Sequence, residues 1–202
     1  PGGQLPLNIF EPRYLAMVQD SLQTQTRLIG MVQPRVPNVE DNIGAALDNL
    51  SDEPEIYTTG CAGKIISFTE TSDGRFLITL YGITRYKILE EEQPRDGYRR
   101  IKPDYGSFPS DQDDAETPLS INRSEFLEKL RKYLNFRKIK VNWESIEKAE
   151  LTRLVTSLAM SIPFSPVERQ ALLEANSNED RVALLLAMME MAGLSVEGQN
   201  EI

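Results

Sequence analysis

Any chemistry in this chain would have to come from carboxylates, lysines, hydroxyls or the single cysteine, because its 202 residues include no histidine. This absence excludes Ser–His–Asp and Cys–His catalysis, and metal sites built on histidine ligands. One cysteine, Cys61, cannot form an intramolecular disulfide or a metal site with several thiolates. Cys61 lies between Gly60 and Ala62 with no histidine to activate it, so we interpret it as a small buried strand residue.

Acidic runs are the next candidates for catalysis. Asp113-Asp114 and Glu90-Glu91-Glu92 lie in polar segments, where solvation keeps carboxyl pKa values ordinary. The nearest approach to a phosphate loop has Thr58 in place of the first glycine and ends at Ile65, which has no hydroxyl for magnesium. We therefore predict no catalytic, cofactor or metal site. The alternative is an enzyme that uses a carboxylate or a Ser–Lys pair in a cleft, and a strongly shifted pKa would favour it.

The net charge of the chain argues against nucleic acid as a partner. The chain carries −9 at neutral pH, whereas affinity for nucleic acid depends largely on lysine and arginine neutralising phosphates. The candidate basic cluster is Arg95, Arg99, Arg100 and Lys102, which we interpret as a charged strand edge. The longest apolar stretch, Val182 to Met189, is far shorter than the roughly 20 residues of a membrane span. We expect a cytoplasmic protein with neither nucleic acid nor membrane as its partner.

Residues 1–108 are predicted to be rich in strands. Gly63 to Thr69 and Arg75 to Tyr81 are β-prone runs flanking Asp73-Gly74, a strong hairpin signal because glycine readily supplies positive φ. Gly82 suggests a bend or bulge before a further strand, Ile83 to Glu90. Shorter strands are expected at Arg27 to Gln33, Tyr98 to Ile101 and Tyr105 to Phe108. Many short strands broken by glycine and proline favour a small barrel or sandwich.

One helix is predicted within this half. Phe10, Tyr14, Met17 and Val18 follow helical spacing, and Pro12 fits a first helical turn. The long polar connection from Pro34 to Pro54 follows later, with a brief helix expected at Asn42 to Leu50.

Residues 109–118 read as an acidic linker, and residues 119–202 as a helical unit. Two apolar stripes recur at helical spacing there: Phe126, Leu130, Tyr133 and Leu134, then Leu151, Leu154, Val155 and Leu158. Ser165-Pro-Val-Glu168 predicts a capping box that opens a helix through Leu173. Ser177 predicts a further N-terminal cap, and Gly193 a helix end. Met188, Met189 and Met191 are expected to fill the core rather than form a soft binding surface.

Several segments resemble the substrate-binding N-terminal domain family of Lon proteases, in the family's order. Gly3-Gln-Leu-Pro-Leu-Asn-Ile-Phe-Glu-Pro-Arg-Tyr14 is similar to its opening motif, and Gly82-Ile-Thr-Arg-Tyr86 to its hairpin segment. Leu28 to Val32, Tyr57 to Ile65 and Pro163 to Glu174 extend the likeness over nearly the whole chain.

The resemblance implies an α+β fold: a PUA-like β pseudo-barrel with one helix, followed by a C-terminal helical bundle. In the family a strand usually precedes the Pro-Gly-Gly stretch with which this chain begins, so we expect an unpaired edge in the barrel. The Lon ATPase and Ser–Lys protease domains are not expected, and the chain is predicted not to be an enzyme.

The resemblance also implies a function, the binding of unfolded or extended polypeptide without cofactor or metal. Such binding would use an apolar groove or strand addition to an open edge. The candidate contact residues are Glu11, Arg13, Tyr14, Arg85 and Tyr86. The charged candidates have structural alternatives: Glu11 and Arg13 could join the helix start to the barrel, and Arg85 could hold a carboxylate terminus of a neighbouring segment. Alternative functions are a PUA-like nucleic-acid-binding protein, or a regulatory or assembly protein with no peptide ligand.

Overall fold

The computed structural model describes residues 1–35, 54–111 and 119–197, which fall into two units, Pro1–Asp114 and Ala115–Ile202. The first unit contains the strands β1 (Gln4–Ile9), β2 (Leu28–Met31), β3 (Thr59–Glu70), β4 (Phe76–Arg95) and β5 (Tyr98–Asp104), with helix α1 (Pro12–Gln23) and a 3-10 turn (Pro109–Asp111). The second contains the helices α2 (Arg123–Phe136), α3 (Trp143–Lys148), α4 (Leu151–Ser161), α5 (Pro166–Glu174) and α6 (Asn178–Glu197). The α+β class is confirmed. The helix expected at Asn42 to Leu50 lies outside the described residues.

An antiparallel sheet forms the first unit, in the order β1-β4-β3-β2, and β5 also pairs with β4. The long strand β4 pairs with β1 and β3 through its first part and with β5 through its second. Over the described residues the sheet is open, because β1 and β2 stand at its two ends and do not pair with each other. The closed pseudo-barrel is therefore not seen in this part of the chain.

Asp-Gly turns join β3, β4 and β5. Gly74 has φ +79° between β3 and β4, so the predicted hairpin is confirmed. A second turn, Asp96-Gly97, has φ values of +48° and +81° and closes the β4–β5 hairpin at the pair Arg95–Tyr98. Positive φ at both central residues suits the right-handed twist of the flanking strands.

Two features bend the sheet near Gly82. The Gly2 N–H donates to the Gly82 carbonyl at 2.8 Å, while the Gly82 N–H donates to the Gly3 carbonyl at 2.9 Å. With Gly2 at φ +74°, this is a β-bulge that places two residues opposite one. On its other side, the β3–β4 register shifts between Ala62 and Gly63. The bend or bulge expected at Gly82 is confirmed.

Helix α1 covers the inner face of the sheet. Val18 is buried against sheet residues that include Ile9, Ile65 and Phe76. Proline occupies the first turn of α1, as expected. The Ser21 hydroxyl donates to the Leu28 carbonyl at 3.1 Å, and this bond attaches α1 to β2.

The helical unit buries both predicted stripes, except that Leu151 is only partly covered. The Ser165–Glu168 capping box is present, and the Ser177 hydroxyl accepts from the Asp180 N–H at 3.0 Å. Met189 is buried and Met188 partly buried, but Met191 is exposed. The helix end predicted at Gly193 is wrong, since α6 continues to Glu197. Glycine costs a helix only about 1 kcal/mol, and the leucine and glutamate that follow it are good helix formers.

Candidate functional site

Glu11, Arg13 and Tyr14 lie together at the start of α1. The Arg13 Nε donates to Glu11 Oε2 at 3.0 Å, and the guanidinium lies 4.8 Å from the centre of the Tyr14 ring. Both charged side chains are about two-fifths exposed, at 41% and 42%. This geometry holds the helix start locally and leaves part of each side chain open to a partner.

Arg85 lies in the interior, where it binds Asp111 at the end of the 3-10 turn. Its Nε donates to Asp111 Oδ2 and its Nη2 to Oδ1, each at 2.8 Å, while the Arg85 backbone N–H also donates to Oδ2. The Phe108 ring lies 4.4 Å from the guanidinium. Burial alone would raise the pKa of Asp111, but the hydrogen bonds and charge of Arg85 outweigh it and hold this pKa below its ordinary value. Arg85 thus holds a carboxylate of a neighbouring segment, as the structural alternative expected, but the carboxylate is a side chain and not a chain terminus.

Tyr86 fills a space left by two glycines. Its hydroxyl donates to the Met31 carbonyl at 3.4 Å, and its ring lies against Gly30 and Gly60. Burial raises its pKa well above the ordinary value of 10.0. Because Arg85 and Tyr86 are each only 2% exposed, they have almost no surface to offer a peptide, and their burial favours structural roles.

The three arginines of the basic cluster at the β4–β5 hairpin are paired with carboxylates. Arg99 makes a two-pronged contact with Glu91, and Arg100 pairs with Glu92 across the hairpin at 2.8 Å. Arg95 lies 3.2 Å from Asp20. A phosphate backbone would have to displace these carboxylates, which weighs against nucleic-acid binding here.

Ionisable groups elsewhere give no pattern typical of acid–base catalysis. The Ser107 hydroxyl lowers the pKa of Asp104, and Lys132 lowers that of Glu128. Among the described residues, every carboxyl with a shifted pKa is shifted downward, away from neutral pH. A general acid or base works best with a pKa near the working pH, so these shifts fit stabilising contacts. The described ranges also contain no group of three or more metal-binding side chains.

The exposed side of β1, β4 and β3 is a surface that sequence reasoning missed. We call it the outer face. Its members are Gln4, Pro6, Asn8 and Phe10, with Leu77, Thr79 and Tyr81 on β4 and Lys64, Ser67 and Thr69 on β3. The register sets them in rows: Ser67, Thr79 and Pro6 lie side by side, as do Thr69, Leu77 and Asn8. An open depression of about 380 Å³ crosses these two rows.

The outer face differs in chemistry from the rest of the chain. It has no acidic residue, although the protein carries −9, and Lys64 is its one charged member. Phe10, Leu77 and Tyr81 are 61%, 45% and 38% exposed. Antiparallel sheets usually show polar side chains to water, so three exposed apolar side chains on a charge-poor face make it a candidate binding surface.

Among the described strands β1 pairs only with β4, and its other edge, the free edge in this part of the chain, borders the outer face. Gly82 exchanges backbone hydrogen bonds with Gly2 and Gly3, and this fixes which residues of β1 face β4. Because the bonding direction alternates along a strand, the backbone groups that bond to β4 are those of Leu5, Leu7 and Ile9. The backbone groups that point away from β4 are those of Gln4, Pro6 and Asn8. Pro6 has no N–H, and the edge therefore lacks its central donor. Proline at such a position discourages another strand from pairing.

Sequence reasoning could have found the outer face from one signal. The alternation in Gln4–Ile9 places a proline and amides opposite two partly buried leucines and a buried isoleucine, with no charge among them. Asp111 gave no such signal, because it lies in the acidic stretch interpreted as a linker. Its partner Arg85 is distant in the chain.

Known proteins resemble this chain at both sequence and structural level. A Lon protease of Elusimicrobium minutum is 23% identical over 195 residues, covering 94% of this chain and 22% of that protein. A Lon protease of Anaeromyxobacter dehalogenans is 28% identical over 96 residues, covering 46% of this chain and 10% of that protein. The chain thus spans at most about a fifth of the length of these relatives.

Two solved structures share the fold. The Lon N-terminal domain protein from Xanthomonas campestris superposes with a TM-score of 0.54 and 18% identity, covering 93% of this chain and 90% of its own. The N-terminal domain of a Mycobacterium avium complex Lon protease gives 0.55 and 14%, covering 94% and 91%. No described helix is both long and apolar enough to cross a bilayer.

Residues 1–191 match the family described as the ATP-dependent protease La (LON) substrate-binding domain. The match runs over both units and includes the opening motif, the hairpin segment and the helices after the acidic stretch. The chain belongs to the Lon substrate-binding domain family.

Proposed function

We propose that this chain is a polypeptide-binding module, an adaptor that recognises unfolded or extended segments and performs no chemistry on them. The outer face carries the proposal, because it exposes Phe10, Leu77 and Tyr81 on a surface without acidic groups. The family match supports it, since the matching Lon domain is named for substrate binding. We further propose a cytoplasmic location and a fold that is a variant of the PUA-like pseudo-barrel.

Of the five contact residues predicted from sequence, we retain Glu11, Arg13 and Tyr14 as candidates. They are partly exposed and follow directly from Phe10 of the outer face. Arg85 and Tyr86 act in this proposal by holding the sheet that presents the face.

Binding to a permanently unfolded protein tests the proposal. We expect reduced, carboxymethylated α-lactalbumin carrying a fluorescent label to gain anisotropy when the purified chain is added. Native α-lactalbumin with the same label is the matched control and should show no change. The unfolded protein should stay intact on a gel with or without ATP.

Each opposite result supports a different function. Cleavage of the polypeptide would establish an enzyme, and a salt-sensitive shift of labelled RNA would establish a nucleic-acid-binding protein. If neither polypeptide nor RNA binds, a regulatory or assembly role without a peptide ligand becomes the better account.

A further inference from the structure

Hydroxyl and amide side chains in the middle of the outer face have no hydrogen-bond partner among the residues that the structure describes. Asn8, Ser67, Thr69 and Thr79 make no hydrogen bond through their side chains to any group in the described ranges. Each can both donate and accept, and none is charged. Such groups match the N–H and C=O of a peptide backbone, whatever its sequence.

Resting on the proposed function, we infer that the outer face holds an extended, uncharged polypeptide segment by its backbone. The hydroxyls and amides replace the water that the segment loses on binding. Phe10, Leu77 and Tyr81 contact its apolar side chains. Alternate residues of an extended chain point to the same side, so the bound segment has apolar side chains at every second position.

The size of the outer face favours one segment over a second copy of this chain. Three strands about 4.8 Å apart and roughly six residues long at about 3.3 Å each give an area of about 300 Å². A stable protein–protein interface engages about 20–30 residues on each partner, whereas the outer face has ten members. A single extended segment of about six residues needs no more than the area present.

Charge also selects the occupant. Lys64 lies opposite Tyr81 on the neighbouring strand. Arg75, two residues before Leu77, has its guanidinium 6.0 Å from the centre of the Phe10 ring. Arg75 pairs with Asp73, so Lys64 leaves the face slightly positive. A segment flanked by lysines is repelled by the positive charge of Lys64, whereas one flanked by glutamates is not. At physiological salt, charges more than about 8 Å away are largely screened, so the face outweighs the net charge of −9.

Pro6 argues against the competing mode, in which the segment extends the sheet beside β1. The missing central donor weakens that edge, while the hydroxyls and amides beside it remain available.

Peptide titration with paired variants of the full chain tests the inference. The probe is a short labelled peptide that alternates leucine and serine, measured by anisotropy. Leu77→Asp places an acid at the centre of the face, and Leu89→Asp does the same at an exposed leucine on the same strand outside it. We expect Leu77→Asp to weaken binding by about tenfold or more, and Leu89→Asp to leave it unchanged.

A second pair isolates the backbone contacts. The double variant Thr69→Val and Thr79→Val removes two hydroxyls at nearly constant shape, and Thr58→Val is the control at an exposed threonine of the same unit. We expect the double variant to bind the peptide more weakly than the unaltered chain, and the control to bind it with unchanged affinity. Near-UV circular dichroism and urea midpoints confirm that each variant is folded. A peptide with flanking glutamates should bind more tightly than one with flanking lysines.

The outcomes separate the inference from the proposed function. If the unaltered chain binds no peptide, both fail. If it binds and Leu77→Asp binds equally well, the polypeptide-binding function stands and the outer face is the wrong site. If Leu77→Asp abolishes binding while the valine variant retains it, apolar contact alone holds the segment and the backbone contacts are wrong.

Discussion

Arg85 on β4 and Asp111 in the 3-10 turn form a buried, two-pronged ion pair, with both side-chain bonds at 2.8 Å. Their side chains are 2% and 8% exposed, so both charges are largely withdrawn from water. The pair attaches the end of the first unit to its longest strand.

Asp111→Ala is expected to destabilise the first unit strongly. The substitution leaves the Arg85 charge buried without its carboxylate, and removal of one partner of a buried pair costs about 3–5 kcal/mol. The free energy of unfolding in urea measures the effect. Asp73→Ala is the control, because the Asp73–Arg75 pair is about half exposed and its loss should change stability little. Equal effects of both substitutions would show that the buried pair has no special weight.

The same pair predicts a dependence of stability on pH. The pKa of Asp111 lies below its ordinary value of 3.8 in the folded protein, so the folded state favours the charged form. Its contribution is fully present above the ordinary value and is lost as pH falls toward the folded pKa. The stability difference between the unaltered chain and Asp111→Asn should therefore shrink as the urea series is taken below about pH 4. A difference that stays constant through this range contradicts the assignment.

Gly60→Ala is expected to destabilise the sheet through Tyr86. A Cβ at this position would lie 2.6 Å from the Met31 carbonyl oxygen and would overlap the Tyr86 hydroxyl. Overpacking of this kind costs about 1–3 kcal/mol. Thermal unfolding compares it with Gly106→Ala, whose nearest neighbour is the flexible Asp104 side chain at 3.2 Å. Adding Tyr86→Phe to Gly60→Ala removes the overlapping hydroxyl and should recover part of the loss, whereas no recovery would mean that the ring carbon Cζ and the Met31 carbonyl cause the clash.

Pro6→Ala is expected to make the protein more prone to self-association. The substitution supplies the missing backbone donor at the free edge of β1, and exposed edges with complete donors recruit other strands. Light scattering at increasing protein concentration measures the change. Pro163→Ala, an exposed proline of the helical unit, is the control. Unchanged scattering in Pro6→Ala would show that the edge is covered in solution.

Local signals in the sequence predicted much of the secondary structure. Asp73-Gly74, the Ser165–Glu168 capping box and the two apolar stripes each depend on residues close in the chain, and all are confirmed. The Asp96-Gly97 turn carried the same signal and was overlooked. The charged run after Glu90 hid it, because its glutamates did not suggest a strand. In the structure these glutamates face arginines across the hairpin.

Contacts between distant residues could not be predicted in the same way. The stretch from Pro109 was expected to be a linker by composition, yet Pro109–Asp111 forms a turn bound by Arg85. Burial of Tyr86 depends on two glycines, of which Gly30 is far away in sequence. The roles of the five contact residues stay predictions.

The position of β4 between three other strands has a consequence for how the unit folds. The β3–β4 and β4–β5 hairpins close over few residues, whereas Gln4 meets Tyr81 only after a long loop has closed. A long-range strand pair loses the entropy of closing its loop before its stabilising contacts form. β1 should thus join the sheet late and leave it early, so its amides are expected to exchange hydrogen faster than those of β3. β1, which contributes Gln4, Pro6 and Asn8 to the outer face, would then be less persistent than the β3–β4 hairpin beside it.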